Sequence, residues 1–252
     1  MDIMVLASGS SGNCYLISDG CTDLLLDAGI PIRRIQIGCD FDLFRISGCL
    51  VTHCHSDHSK AVKDLLKKCV DVWMPGNEIS KLGLQAGRRL HPLECTGGNE
   101  YAMFSIGTFD ILPFRTEHDT PEPVGYLLHS RSNGDKILYV TDSFFIRYRF
   151  NGLTHIIGEV NYDEKTVWEK INNGETPTER AKRLFRSHMS LENFLAFLGA
   201  NDLSKLRQIY ICHMSKDHGN AKRIQEAVQQ ATGAEVYVCK EGGGISAMDK
   251  CT

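Results

Sequence analysis

The chain of 252 residues has no apolar run near the roughly 20 residues a bilayer-crossing helix needs, no C-x-x-C pair, no low-complexity segment and no surplus of basic charge. Each absence removes a class. Without a long apolar run, no membrane association is expected. The N-terminus, MDIMVLASGSSGN, carries an acid where a secretion signal carries basic residues, and its apolar run is too short for a signal core, so residence in a cytosol is expected. Ten cysteines lie at 14, 21, 39, 49, 54, 69, 95, 212, 239 and 251, a spacing that fits neither a zinc ribbon nor a thioredoxin motif. In a reducing compartment they read as thiols, most of them buried in the core. A net charge of −3 gives no global basic footprint, so tight non-specific binding to duplex DNA is not expected. Basic residues cluster locally instead. Lys60, Lys63 and Lys67 share a helical face, and ERAKRLFR supplies Arg180, Lys182, Arg183 and Arg186. A solvated surface is the plainer reading of both groups, and phosphate contact the sharper one.

What is present divides into strands first and helices later. IMVLA, CYLIS and TDLLLDAG read as strands, the last two forming a hairpin about Asp19-Gly20. A short helix is expected over 31–37 with Pro31 in its first turn. ISGCLVT is a buried strand, residues 57–68 have helical spacing, VDVWM is a strand, and NEISKLG is a helix ended by Gly83. Strands are expected over 101–106, 108–114, 123–130 and 136–141, then in HIIGEV, RQIYICH and EVYVC. Helices are expected over 176–186, 190–199 and 220–231. This order fits two mixed sheets covered by helices, with no linker, so a single domain over 1–252 is expected.

The stretch VTHCHSDHSKA places His53, His55, Asp57 and His58 within six positions at the end of an apolar run. Along a strand the side-chain period is two, so His53 and His55 converge on one point and Cys54 points away. Asp57 and His58 begin the next helix and aim at a second point. Surface histidines beside an aspartate cap would be the bland alternative. The density of imidazole and carboxylate suits Zn, Mn or Fe, and suggests two ions. His118, Asp142 and His213 each follow an apolar strand, the position at which sheet enzymes present site residues. Asp142 is the natural bridge between two ions, and His188 is read as opening a helix toward the same cleft. His91, His129, His155 and His218 lack this context and are expected to be structural.

VTHCHSDHSKA resembles the signature of the metallo-β-lactamase fold superfamily. MVLASGSSGNCYLI…LLLDAG, HDTPEPVGY, YVTDS, GEVNYD, SHMSLEN and CHMSKDHGN follow in the order of its YycJ/WalJ-type branch, whose members are similar to exonucleases acting on DNA 5′ ends. The layout is also similar to that of cyclic-phosphate phosphodiesterases and tRNA 3′-processing enzymes. The branch shows NHD where this chain has Asn161-Tyr162-Asp163, so that histidine's role has no counterpart here. The resemblance implies an α/β fold, an αββα sandwich of two mixed β-sheets flanked by helices. It implies two divalent metal ions, Zn or Mn. His53, His55 and His118 would hold one, Asp57, His58 and His213 the other, with Asp142 between them. Relatives of this kind often pair, so a homodimer is compatible.

Two ions about 3.5–4 Å apart would lower the pKa of a shared water toward ~7 and neutralise charge at a phosphodiester. Asp57 would orient that water, and His188 would protonate the leaving oxygen. The SGSSGN turn allows backbone N–H groups to face an anion, with Ser10 and Asn13 as added donors to substrate. EGGGIS, residues 241–246, reads as a flexible turn. The leading expectation is a nuclease with a nucleic-acid or nucleotide phosphodiester substrate. A cyclic-nucleotide phosphodiesterase is the second, and a non-catalytic, metal-stabilised binding module the third.

Overall fold

A computed structural model describes residues 1–97 and 100–247. Its first sheet runs β1 (Asp2–Ala7), β2 (Cys14–Ser18), β3 (Asp23–Leu26), β4 (Ile46–Leu50), β5 (Val72–Pro75) and β6 (Leu90–Leu93), in that spatial order. The first two pairings are antiparallel and the remaining three parallel. The parallel connections carry α1 (Ile32–Gly38), α2 (Ser56–Ser59), α3 (Val62–Lys67) and α4 (Gly76–Lys81). The second sheet comprises β7 (Cys95–Gly97), β8 (Glu100–Tyr101), β9 (Phe104–Ile106), β10 (Phe109–Arg115), β11 (Val124–Ser130), β12 (Lys136–Val140), β13 (His155–Glu159), β14 (Gln208–Cys212), β15 (Glu235–Cys239) and β16 (Ile245–Ala247). It is mixed, with β12 through β15 parallel. Its helices are α5 (Glu164–Asn172), α6 (Thr178–Ser187), α7 (Leu191–Gly199) and α8 (Ala221–Thr232).

The apolar runs are explained by layers on both sides of each sheet. In β3, Leu24 and Leu26 face the second sheet, while Leu25 packs with the helices on the outer face. In β12, Ile137 and Tyr139 face inward, while Leu138 and Val140 meet the layer of α7 and α8. Alternate side chains thus enter different cores, and past the first residue of each strand, Asp23 and Lys136, every position is apolar because both faces are covered. The αββα sandwich is the observed architecture.

Several expectations shift in detail. The helix expected over 57–68 is split into α2 and α3, because Ala61 N–H donates to Ala28 O at 2.8 Å and Ala28 N–H to His58 O at 2.8 Å. These bonds divert the backbone to the end of β3. The strand expected over 101–106 is likewise interrupted at Ala102-Met103. The turn about Gly242–Gly244 leads into β16 rather than ending as a loose loop, and Gly244 N–H donates to Val5 O at 2.9 Å. Helix α5 was not foreseen. It is capped by Asp163, whose side chain accepts from Thr166 N–H. Of the nine described cysteines, all are free thiols and five are buried; Cys251 lies outside the described residues. Among the described residues no helix is long and apolar enough to cross a membrane.

The two sheets are tied at the end away from the histidine cluster. Asp19 Oδ2 accepts from Thr108 Oγ1 at 2.5 Å and Ser130 Oγ at 2.6 Å, while Oδ1 accepts from the N–H groups of Cys21 and Thr22. Desolvation pushes this carboxyl up, but the hydroxyl and backbone donors outweigh it and hold it down at about 2. A depressed carboxylate adds stability above its unfolded value near 3.9 and loses it as pH falls through the folded one. Asp19→Ala should cost about 1–3 kcal/mol at neutral pH by denaturant titration, with the gap to wild type narrowing from pH 4 toward pH 2. A gap unchanged across that range would refute the assignment.

Candidate metal centre

The site is built from strand ends. β10 and β12 are both antiparallel to β11, so they run in the same direction. The C-terminal ends of β10, β12, β13 and β14 therefore share one rim. His118, Asp142, Glu159 and His213 lie at or just beyond those ends. The rim of the first sheet supplies Asp27 after β3 and His53 to His58 after β4. Asp27, Asp142 and His213 have φ of 57°, 49° and 48°. Three non-glycine residues in this left-handed region, all at the same rim, mark local backbone strain held by the surrounding fold.

Two donor sets converge and share Asp142, namely His53, His55, His118 and Asp142, and Asp57, His58, Asp142 and His213, and a third group, Asp142, Glu159, His188 and His213, overlaps the second. In the first, His53 Nε2 lies 3.1 Å from His55 Nδ1, and His118 Nε2 lies 3.2 Å from the same atom. Asp142 Oδ2 is 3.5 Å from His53 Nε2 and 3.6 Å from His118 Nε2. In the second, His58 Nε2 is 3.2 Å from Asp142 Oδ2 and 3.5 Å from Asp57 Oδ2, and His213 Nε2 is 3.4 Å from Asp57 Oδ2. Zinc bonds of about 2.0–2.1 Å in a tetrahedron give ligand–ligand edges of about 3.3 Å, so the donor separations fit such ions. The set is all imidazole and carboxylate. Cys54 lies outside these groups, and burial with the Glu78 carboxylate pushes its thiol up to about 12.

Orientation comes from groups behind the ligands. Asp27 is fully buried and accepts from Thr52 N–H at 2.8 Å and from the Tyr139 hydroxyl at 2.5 Å, and its Oδ2 lies 2.7 Å from His58 Nδ1. That contact fixes the His58 tautomer and leaves Nε2 facing the donor set. Glu159, also buried, does the same for two rings, with Oε1 2.6 Å from His188 Nδ1 and 3.1 Å from His213 Nδ1. Neither acid was singled out in the sequence, although both end apolar runs in the way Asp142 does.

The remaining expected residues divide. His188 is brought to the site, with its ring stacked on His213 at 5.3 Å, but it follows α6 as the C-cap residue and does not open a helix. Glu159 positions it instead. Asn13, expected at a substrate phosphate, is fully buried. Its side chain accepts from Gly9 N–H at 2.9 Å and lies 3.1 Å from His58 Nε2, bracing its own turn. Ser10 stays exposed on that turn. His91 stacks on Trp73 and pairs with Asp71, His155 and His218 are buried elsewhere, and His129 faces Asp110.

Without a cation, the donors hold protons against one another. Burial and the neighbouring His58 push His53 down, so it stays neutral. Burial alone would lower His58 too, but Asp142 and Asp27 drive it well up. The same opposition, burial against Asp142, Asp57 and Glu159, raises His213 to about 10.

A model described as the metallo-beta-lactamase superfamily matches residues 7–170. Among curated proteins, exodeoxyribonuclease YycJ of Bacillus anthracis is 27% identical over 237 residues, covering 90% of this chain and 87% of that protein. Exodeoxyribonuclease WalJ of Streptococcus pneumoniae is 25% identical over 234 residues, covering 87% and 83%. Among solved structures, the metallo-beta-lactamase fold protein YhfI from Bacillus subtilis superposes with a TM-score of 0.69 at 14% identity, covering 97% of this chain and 98% of that one.

Two outcomes follow. A Cβ at Gly29 would stand 1.6 Å from Asp57 O, where Asn13 N–H already donates at 2.7 Å. Gly29→Ala should therefore cost about 3 kcal/mol or more and lower bound metal, measured by denaturation and elemental analysis. Full metal content in that variant would contradict the packing. Separately, imidazole must be neutral to ligate, so loading Zn at pH 7 should release about one to two protons per chain. The raised His213 value stabilises the metal-free fold below 6.5, and that contribution fades as pH rises through about 10, so metal affinity should climb over the same interval. Calorimetric heats independent of buffer ionisation enthalpy would refute this.

Proposed function

Because the chain belongs to the metallo-beta-lactamase superfamily, we propose that it is a single-domain, two-metal phosphodiester hydrolase whose substrate is DNA, trimmed from the 5′ end. The observation that carries this reading is the closure of two donor sets on one buried carboxylate, Asp142. The names of the two bacterial relatives support the choice of DNA. His53, His55 and His118 with Asp142 would hold one divalent ion, Zn or Mn, and Asp57, His58 and His213 with Asp142 the other. Bound there, the pair supplies Lewis-acid activation of water and neutralises charge at the phosphate.

The chain's own residues do the rest. The Asp57 side chain is 22% exposed against 4% for Asp142, so it is the carboxylate open to the cleft. Burial pushes its pKa up, but His213 and His58 hold it low, so it stays ionised at neutral pH and can orient a water by accepting its hydrogen bond. His188 is 22% exposed at its side chain and bonded through Nδ1 to Glu159. Burial lowers its pKa and the Glu159 carboxylate more than offsets that. A proton is thereby kept on Nε2, the ring atom turned away from Glu159, where it can pass to the leaving oxygen.

On a 5′-labelled oligonucleotide with Mn or Zn, the wild type should release short products and Asp142→Ala none. His188→Ala should lose about 10²–10⁴-fold on DNA, and far less on bis(p-nitrophenyl) phosphate, whose leaving group needs no proton. Intact oligonucleotide under both metals, together with hydrolysis of cyclic mononucleotides, would replace this reading with a small-molecule phosphodiesterase.

A further inference from the structure

A cavity of about 440 Å³ opens beside the metal centre, between the segment after β10 and the segment after β12. Arg115, Thr116, Glu117, His118, Thr120 and Arg147 are among the residues that line it, so it begins where the ligand His118 ends. Its wall holds two guanidiniums. Arg115 Nη2 donates to Pro121 O at 3.2 Å, and Arg147 pairs with Glu117 at 2.7 Å while remaining 68% exposed. An exposed pair of that kind contributes about 0–1 kcal/mol, so the Arg147 head can be exchanged to another acceptor at little loss. The wall also carries an unmet demand. Thr116 and Thr120 have buried hydroxyls with no hydrogen-bond partner, the two such side-chain atoms among the described residues, and Thr116 is 6% exposed. A native fold rarely leaves such a group unmatched without cause.

Two planar cations against the single carboxylate of Glu117, with two unmatched hydroxyls beside them, ask for a ligand with several acceptor oxygens and negative charge. Phosphate meets both conditions, and guanidinium forks suit its geometry. The smaller cavity of about 240 Å³ on the His213 side differs, because its one cation is a lysine, Lys216, paired with Glu241, and it holds no guanidinium. Building on the hydrolase reading above, we propose that the cavity beside His118 is a phosphate subsite, taking a second phosphate of the same strand while the one being cut lies at the metals. That phosphate is either an internal diester or a terminal monoester. The chemistry is shared, and the site makes the enzyme selective for a chain carrying at least two phosphates over an isolated diester.

The test is equilibrium binding of short, fluorescent, single-stranded phosphorothioate oligonucleotides to the metal-loaded protein across a salt series. Arg115→Ala/Arg147→Ala should weaken binding about tenfold or more and reduce the salt slope by about 0.7, the value of one phosphate contact on a single strand. Thr116→Val should weaken binding several-fold with its thermal midpoint unchanged or raised, since it removes an unmatched hydroxyl and not a structural bond. A methylphosphonate placed at each linkage in turn, and removal of the terminal phosphate, identify the source. One of these changes should reproduce the double variant's loss and add nothing within it. Unchanged affinity and slope in the double variant would overturn the subsite, as would an equal loss for every oligonucleotide whatever linkage is neutral. Strands bound in this way but never cut under any metal would sink the hydrolase reading and leave the subsite standing.

Discussion

Asp27 follows β3 at a left-handed backbone angle and is fully buried, so its carboxyl oxygens have to be answered from within the fold. An uncompensated buried carboxylate costs several kcal/mol, which sets strict terms on its neighbours. Thr52, at the end of β4, meets it from the same sheet, Tyr139 reaches it from β12 across the inter-sheet core, and His58 turns its Nδ1 toward it from α2. One side chain thus couples the register of the two sheets to the direction of a metal-facing imidazole. Glu159 plays the matching part in the second sheet, where it sets His213 and His188 together. The donor geometry follows from these two buried acids as much as from the ligands themselves.

The reversal at β11 is what makes a single rim possible. Had β10 run the other way, His118 would lie at the far end of the sandwich. The antiparallel step through β11 restores the direction and brings a ligand from an otherwise antiparallel region to the C-terminal edge of the parallel strands. Asn13 and Gly29 complete the other sheet's side of the rim. Their backbones interlock with Asp57, and the absence of a side chain at Gly29 lets the three segments approach.

Much of this was legible in the sequence. The H-x-H-x-D-H run, and the polar residue closing each of several apolar strands, picked out seven side chains that the fold brings together around Asp142. The αββα layering was legible because strands covered on both faces read as unbroken apolar runs. Other features were hidden for physical reasons. Asp27 and Glu159 carry the same strand-end signal as Asp142, but a lone acid does not announce whether it faces a metal or a histidine. Helix α5 buries Val167 fully, and Trp168 on it is half-exposed, so its periodicity is faint. The split between α2 and α3 depends on Ala28, a partner distant in sequence. His188 has the same side chain at the same place whether it ends one helix or begins another, so its supporting group could not be inferred from spacing. Asn13 reads as a donor to substrate phosphate because a Gly/Ser turn can face an anion, whereas this side chain folds back on His58.

The donors at His53 and His213 lie far apart along the chain yet meet around Asp142. Bringing such distant segments together requires closing a long loop, and the entropy of that closure is met only after both sheets have formed and docked. A cation gripped from both sheets would bind only the docked form and stabilise it by mass action, while leaving all the described thiols reduced. The centre is accordingly assembled among the last features of the native state, and a chain with its halves misregistered has nowhere to hold a metal.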